Sequence, residues 1–381
     1  MRKYLLYYLG MLLVFGVGIY GILEYGAHLQ PDVTVPEQRA ELAVTPQPPK
    51  PEASASGIGK VFHENLRHPL SVLLLQVIVI VVAARLSGSV FLRLGQPAVT
   101  GEIVAGILLG PSLLGMLFPE AQAFLFPAPS MTPLQLLSQI GVILFMFVVG
   151  IEMDLLHLRQ KAHTAVLVSH ASIVIPFFLG TAFSLLLYRT LAPPHISFSA
   201  FALFMGIAMS ITAFPVLARI IEERGLSQSP LGNIAIACAA VDDVTAWCIL
   251  AMVVAIVQAD GLGSALLTIG LVLLFSGAML FFVKPLIERL GGRNIGTETR
   301  SKGLVAGILT LVFAAALFTE VIGIHALFGA FLAGAMLSSN DRWRRFLKER
   351  LETFSGVFLL PLFFAFTGLR TQLGLLNDGW G

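Results

Sequence analysis

Leu231-Gly232-Asn233-Ile234-Ala235-Ile236-Ala237-Cys238-Ala239-Ala240-Val241-Asp242-Asp243-Val244-Thr245-Ala246-Trp247-Cys248-Ile249-Leu250-Ala251-Met252-Val253-Val254-Ala255-Ile256-Val257 is a run of 27 residues whose two charged side chains stand next to each other near its middle. As a helix it is long enough to cross the ~30 Å hydrocarbon core of a bilayer, for which about 20 apolar residues suffice. The rest of the chain has the same character. Of 381 residues, 56% are apolar and 12% charged, with a mean hydropathy of +0.86; a soluble domain carries about 25% charged residues. Soluble cores stop growing near roughly 250–300 residues, so the apolar surplus has to face lipid. The fold class is therefore an all-α polytopic membrane protein. A net charge of +2 without a basic tract argues against nucleic-acid binding. Cys238 and Cys248, both within the quoted run, cannot form a disulfide framework.

Outward from this run, hydropathy predicts eleven spans, at residues 3–23, 69–94, 97–117, 132–153, 163–187, 197–221, 231–257, 262–286, 302–320, 322–338 and 353–373. The first begins with basic Met1-Arg2-Lys3. Its apolar stretch is longer than the roughly 7–15 residues of a signal peptide, and Glu24-Tyr25 follows where a small-residue cleavage site would stand. Residues 1–26 thus read as an uncleaved membrane anchor. Residues 27–68 hold Pro31, Pro36, Pro46, Pro48, Pro49 and Pro51 among Glu, Gln, Ala and Ser, the composition of a disordered linker. With the N-terminus in the cytoplasm, 18 of the 24 Lys and Arg residues fall at cytoplasmic span ends. The exceptions are Arg39, Lys50, Lys60, Arg67, Arg189 and Arg370. The positive-inside rule therefore supports this direction and puts the linker outside.

The chain also resembles itself. Leu144-Phe145-Met146-Phe147-Val148-Val149-Gly150-Ile151-Glu152-Met153-Asp154-Leu155 aligns with Leu362-Phe363-Phe364-Ala365-Phe366-Thr367-Gly368-Leu369-Arg370-Thr371-Gln372-Leu373 at an offset of 218. One span pair earlier, Ala105-Gly106-Ile107-Leu108-Leu109-Gly110 resembles Gly329-Ala330-Phe331-Leu332-Ala333-Gly334 at an offset of 224. Matched segments run in opposite directions through the membrane, the pattern of inverted transporter repeats. On this division, 69–257 is a first six-helix repeat, 258–300 a linking helix and cytoplasmic loop, and 301–381 the first three helices of a second repeat. The second repeat is thus expected to be incomplete in this sequence.

A charge at bilayer depth is costly and marks a functional site by default. Asp242 and Asp243 lie about 18 Å along their span at 1.5 Å per residue. Consecutive helical positions diverge by about 100°, so one carboxylate can line a cavity while the other meets a neighbouring helix. A buried, permanently protonated acid is the plainer alternative. An intramembrane aspartyl protease is disfavoured, because a dyad sharing a proton needs two acids brought face to face. In the preceding span, Ser210-Ile211-Thr212-Ala213-Phe214-Pro215 places a proline and two hydroxyls near mid-membrane. A simple kink is one outcome; a discontinuous helix, whose ends offer partial charges to a small cation, is the other. Glu102 lies early in its span, where a first-turn acid favouring the helix dipole competes with a pathway role. His170 suits an interhelical contact, Glu320 and His325 flank a turn through Gly323 and could guard an outer mouth, and Trp247 and Cys248 read as packing residues.

Four stretches together resemble the monovalent cation:proton antiporters of the Kef-type and plant cation/H⁺ exchanger branch. They are Gly95-Gln96-Pro97 with Gly101-Glu102-Ile103-Val104-Ala105-Gly106-Ile107-Leu108-Leu109-Gly110-Pro111-Ser112, then Thr212-Ala213-Phe214-Pro215-Val216-Leu217-Ala218-Arg219, Ala239-Ala240-Val241-Asp242-Asp243-Val244, and Gly323-Ile324-His325-Ala326-Leu327-Phe328-Gly329-Ala330-Phe331. The resemblance covers residues 69–381. It implies two inverted six-helix repeats, a dimer domain and hence a homodimer, a moving core domain, and alternating access. It also implies that Asp243 is the carboxylate shared by cation and proton, with Asp242 approaching a lysine on a helix of the second repeat. That lysine would lie beyond Gly381.

The reading is a multi-pass transporter of a bacterial inner membrane that exchanges Na⁺ or K⁺ for H⁺ without a cofactor, rather than an enzyme. Asp243 holds the monovalent cation, with Asp242 and Thr212 beside it, Ser210, Ala213, Phe214 and Pro215 forming the discontinuous helix, and Glu102, His325 and Glu320 along the pathway. The rival readings are a ligand-gated K⁺ efflux channel and a sensor or assembly module on the same scaffold.

Overall fold

A computed structural model describes residues 2–29, 65–66, 68–152, 155–193, 196–227, 229–258, 262–291, 298–337 and 341–373. All regular structure among them is helical. The helices are α1 (Arg2–Gly26), α2 (Pro69–Arg93), α3 (Ala98–Leu109), short α4 (Leu114–Leu117) and α5 (Pro119–Leu125), α6 (Ala128–Glu152), α7 (Leu155–Leu191), α8 (Phe198–Ser210), α9 (Phe214–Glu223), α10 (Pro230–Gln258), α11 (Leu262–Ala278), α12 (Lys284–Gly291), α13 (Glu298–Val321), α14 (Ala326–Leu337), α15 (Asp341–Phe354) and α16 (Leu360–Leu369). Single π-helical turns, Met279–Val283 and Ser355–Leu359, join α11 to α12 and α15 to α16.

Nine helical stretches among the described residues are long and apolar enough to cross a membrane. Val305–Val321 and Ala326–Leu337 are apolar but shorter, and they coincide with the ninth and tenth of the expected spans. Most of the Pro-rich stretch lies outside the described residues. Three boundaries differ from the hydropathy reading. The span expected at 97–117 is helical only to Leu109; Gly110 ends it in an extended conformation, Pro111 cannot donate to the helix, and the chain continues as α4 and α5. The last span starts earlier than expected, since charged Asp341–Phe354 is already helical and runs through a π-turn into α16. The fifth forms part of a 37-residue helix.

Without a strong hydrophobic drive between helices in lipid, association depends on close van der Waals approach, which small residues permit. Here glycines cross in reciprocal pairs. A methyl group at Gly106 of α3 would overlap the Ala365 carbonyl of α16, and one at Gly368 of α16 would overlap the Ile103 carbonyl of α3. In the same way, Gly150 of α6 lies on the Phe331 carbonyl of α14, and Gly334 of α14 on the Phe147 carbonyl of α6. Gly101 against Ser87, within the α2/α3 pair, has its match in Gly329 against Ala315, within the α13/α14 pair.

These contacts interconvert under an offset of 228 for α2 and α3, not 224, together with 218 for α6. The register read from sequence was therefore one helical turn out. In the corrected register, Ala98, Gly101, Ala105, Gly106 and Leu109 align with Ala326, Gly329, Ala333, Gly334 and Leu337, identical at all five positions. The slip arose because small residues recur four apart, so the shorter window around Gly110 matched Gly334 as well.

Around this double crossing, Phe145, Phe147, Phe331 and Phe364 form a buried core. A second group of helices, α7, α8 and α10, packs together beside it, and α1 lies along α7. Phe15 meets Phe178 edge-on at 5.3 Å and Tyr8 meets His170 at 5.3 Å, so α1 has a specific seat on α7.

Candidate ion site

α10 carries both aspartates in an unbroken helix. Asp242 is 5% exposed, whereas Asp243, turned about 100° around the axis, is half-buried. Asp242 faces α7. Its Oδ1 accepts from the Ser169 hydroxyl and its Oδ2 accepts from the Ser172 hydroxyl at 2.8 Å. Among the described residues, no hydrogen bond to the Asp243 carboxylate is present. Two hydroxyls of α7 thus take both oxygens of Asp242. The sequence did carry a signal for them, a pair of hydroxyl residues three apart in the apolar span next but one before the aspartates. That spacing puts both on one helical face.

The chain breaks between α8 and α9. Ile211, Thr212 and Ala213 are non-helical, and the Ile211 amide closes α8 by donating to the Ile207 carbonyl at 3.2 Å. Ser210, 3% exposed, donates to Gly206 O at 2.8 Å and reaches Ile173 O on α7 at 3.1 Å. Pro215 does not kink a continuous helix. It occupies the first turn of α9, where its missing N–H would have had no intrahelical partner. Thus α8 presents a carbonyl end and α9 an amide end at one break, with partial charges of opposite sign. α10 packs against both half-helices. Thr212 itself is exposed, at the break and outside the helices.

The other expected residues fall into two clusters at opposite ends of the bundle. Glu102 is 1% exposed, so it is not a solvated first-turn acid; Arg219, Arg85 and Glu223 lie within electrostatic reach. Around it, Arg219 pairs with Glu223 at 2.9 Å and with Glu222 at 3.3 Å. Glu223 accepts from the Ala98 amide at 2.8 Å, and Arg224 donates to the Gly95 carbonyl at 2.9 Å. Gly95 makes that turn with φ +76°, a conformation that favours glycine. Lys348 of α15 forms an ion pair with Glu152 at the end of α6 and lies 3.7 Å from Glu352. Sequence reading had assigned this network no role.

At the other end, Glu320 accepts from the Ala326 amide at 2.8 Å and so caps α14 across the Gly323 turn. The His325 ring lies 5.4 Å from that of Trp247, one turn after Asp243 on α10. A cleft of about 500 Å³ opens here, lined by Gln139, Ile143, Phe313, Glu320 and His325 among others. Glu320 and His325 therefore serve the turn and line the cleft at once.

An acidic pair in mid-helix thus stands next to a broken helix, beside a block of helices joined by reciprocal glycine crossings. The family model described as "Sodium/hydrogen exchanger, transmembrane" matches residues 77–381, which include all of these elements except α1 and the start of α2. The chain belongs to that family. It is 45% identical over 313 residues to the Na(+)/H(+) antiporter NhaS4 of Synechocystis sp., a match covering 81% of this chain and 75% of the relative. It is 37% identical over 350 residues to Cation/H(+) antiporter 19 of Arabidopsis thaliana, covering 90% of this chain and 43% of that one. With K(+)/H(+) antiporter 1 of Saccharomyces cerevisiae it shares 33% over 332 residues, covering 84% and 38%. The chain thus spans three quarters of the cyanobacterial relative and about two fifths of the plant and yeast ones.

Proposed function

We propose that this protein exchanges a monovalent cation, Na⁺ or K⁺, for protons across a bacterial inner membrane, and that Asp243 is the carboxylate the two ions share. The observation that carries the reading is the division of the acidic pair: Asp242 is engaged by α7 while Asp243 is left partly open on a helix that packs against the α8/α9 break. Carbonyls at the end of α8 and a carboxylate can together replace the water around a small cation. The same carboxylate can instead take a proton, so one site holds either ion and the two compete. Thr212 stands at the break as a further oxygen donor. Glu102 lies on the cytoplasmic route and Glu320 and His325 on the external one, with the N-terminus in the cytoplasm. Residues 69–257 and 301–381 act as inverted counterparts in a homodimer, and the protein performs no group-transfer chemistry.

The test applies Na⁺ and K⁺ pulses to everted membrane vesicles containing the protein and follows luminal pH. Cation-driven proton movement is expected, and Asp243→Asn abolishes it without altering membrane insertion. Proton movement that persists in Asp243→Asn removes Asp243 from the site. Conductive K⁺ flux with no proton movement replaces the antiporter with a channel.

A further inference from the structure

We propose that Ser169 and Ser172 are specificity-determining positioning residues, which hold Asp242 on α7 and so restrict the ion site to a single carboxylate. The inference rests on the reading of Asp243 as the exchanging group and adds to it the reason that the neighbouring acid stays out of the site.

Each oxygen of Asp242 accepts from a different serine, so neither the position nor the rotation of the carboxylate is free. Hydrogen bonds from neutral donors fix the direction of a carboxylate without adding a compensating charge, whereas a lysine partner would make the pair net neutral. The two serines are not equivalent. The Ser172 hydroxyl has one hydrogen and two acceptors within reach, Asp242 Oδ2 at 2.8 Å and the Ser169 carbonyl at 2.6 Å. Released from Asp242, it falls back on the backbone carbonyl. For Ser169, Asp242 Oδ1 is the one side-chain hydrogen-bond acceptor among the described residues, so Ser169 is the anchor. His170, Cys238 and Asp243 are within electrostatic reach of Asp242, and the His170 ring packs against Tyr8 of α1.

The consequence is chemical. One carboxylate with backbone carbonyls suits a monovalent ion, whereas adding a second carboxylate raises the ligand charge and suits a hard divalent ion such as Ca²⁺. Asp242 is adjacent in sequence to Asp243. The two side chains leave the helix in different directions and cannot meet face to face. Their Cα atoms are only about 3.8 Å apart, however, so a χ1 rotation of Asp242, once freed from α7, can bring one of its oxygens to an ion that Asp243 also touches. The serine pair therefore acts against divalent binding by withholding a ligand, a form of specificity achieved without contact with the ion.

The test is cation-dependent thermal stabilisation of the purified full chain in detergent, with NaCl, KCl or CaCl₂ titrated against choline chloride at constant ionic strength. The wild-type protein is expected to respond to Na⁺ or K⁺ at concentrations at least about tenfold below those needed for Ca²⁺. Ser169→Ala combined with Ser172→Ala is expected to shift that ratio about tenfold or more toward Ca²⁺. Threonine at both positions restores the hydroxyls and keeps the ratio within about twofold of wild type. A purely structural role would lower the baseline melting temperature and leave the ratio alone, and an unchanged ratio in the double alanine variant overturns the proposal. If that variant does not fold, Ser169→Ala alone carries the same direction, and a ratio within about twofold of wild type overturns it. Asp243→Asn separates the two layers: a full response in that variant removes the exchange-site reading, whatever the serines do. A wild-type protein that answers none of the three salts overturns both.

Discussion

Gly141 of α6 packs directly on Leu359, the last residue of the π-turn before α16, and under the offset of 218 each is the other's counterpart. A contact between a residue and its own repeat image marks the axis relating the two segments. The Gly106–Ala365 and Gly334–Phe147 contacts form one exchanged pair around that axis, and Gly368–Ile103 and Gly150–Phe331 form the other. The site helices α7 to α10 pack beside this block, and their α7 to α8 and α7 to α10 contacts are more extensive than any they make with it.

Because these crossings bring backbone against backbone, they tolerate no added volume. Gly106→Val and Gly334→Val should each destabilise the protein by about 3 kcal/mol or more, the upper range for overpacking, since a carbonyl cannot move aside as a flexible side chain can. Gly307, on α13 with open space around its Cα, is the control: Gly307→Ala should be neutral or stabilise by up to ~1 kcal/mol. Thermal unfolding in detergent compares the three. Equal losses would mean that glycine content, rather than contact geometry, sets the cost.

Glu152 and Lys348 tie the end of α6 to α15, and the lysine is 38% exposed. Water and salt weaken such a pair, so a double-mutant cycle with Glu152→Gln and Lys348→Met should give a coupling on the order of 1 kcal/mol, smaller at high ionic strength. A coupling of zero at low salt would remove this tie from the account of stability.

The seat of α1 on α7 has a direct check. With Cys238 and Cys248 replaced by alanine, Tyr8→Cys and His170→Cys should be joined in membranes by a short thiol cross-linker, because the native rings are 5.3 Å apart. N-terminal sequencing of the same protein should begin near Met1. Absence of both the cross-link and the N-terminus would mean that this segment is removed and never packs.

Topology can be tested on the same cysteine-free background. A membrane-impermeant maleimide applied from outside should label Ser56→Cys and spare Arg345→Cys, as the distribution of Lys and Arg requires. The reverse pattern would invert the whole arrangement, and with it the assignment of the Glu102 cluster to the cytoplasmic end.

Much of this was legible in the chain itself, because it depends on local properties. Lengths of apolar runs set the candidate spans, one uncharged run isolated Asp242 and Asp243, and Pro215 with Ser210 located the break between α8 and α9. Adjacent acids on a helix must diverge, so even the unequal exposure of the pair follows from 3.6 residues per turn. The tertiary structure decided which helix each polar group meets. Ser169 and Ser172 lie 70 residues or more from Asp242 in sequence, and nothing in a hydropathy profile distinguishes them from hydroxyls that bond their own helix. Glu102 read as either a helix-dipole acid or a pathway residue, and only the packing of α9 put Arg219 and Glu223 within its electrostatic reach, just as only α15 carried Lys348 to Glu152. The repeat register shows the boundary most sharply. Small residues four apart on one helical face allow a match one turn out, and only contact across the crossing, where any side chain at Gly106 would overlap the Ala365 backbone, selects between them.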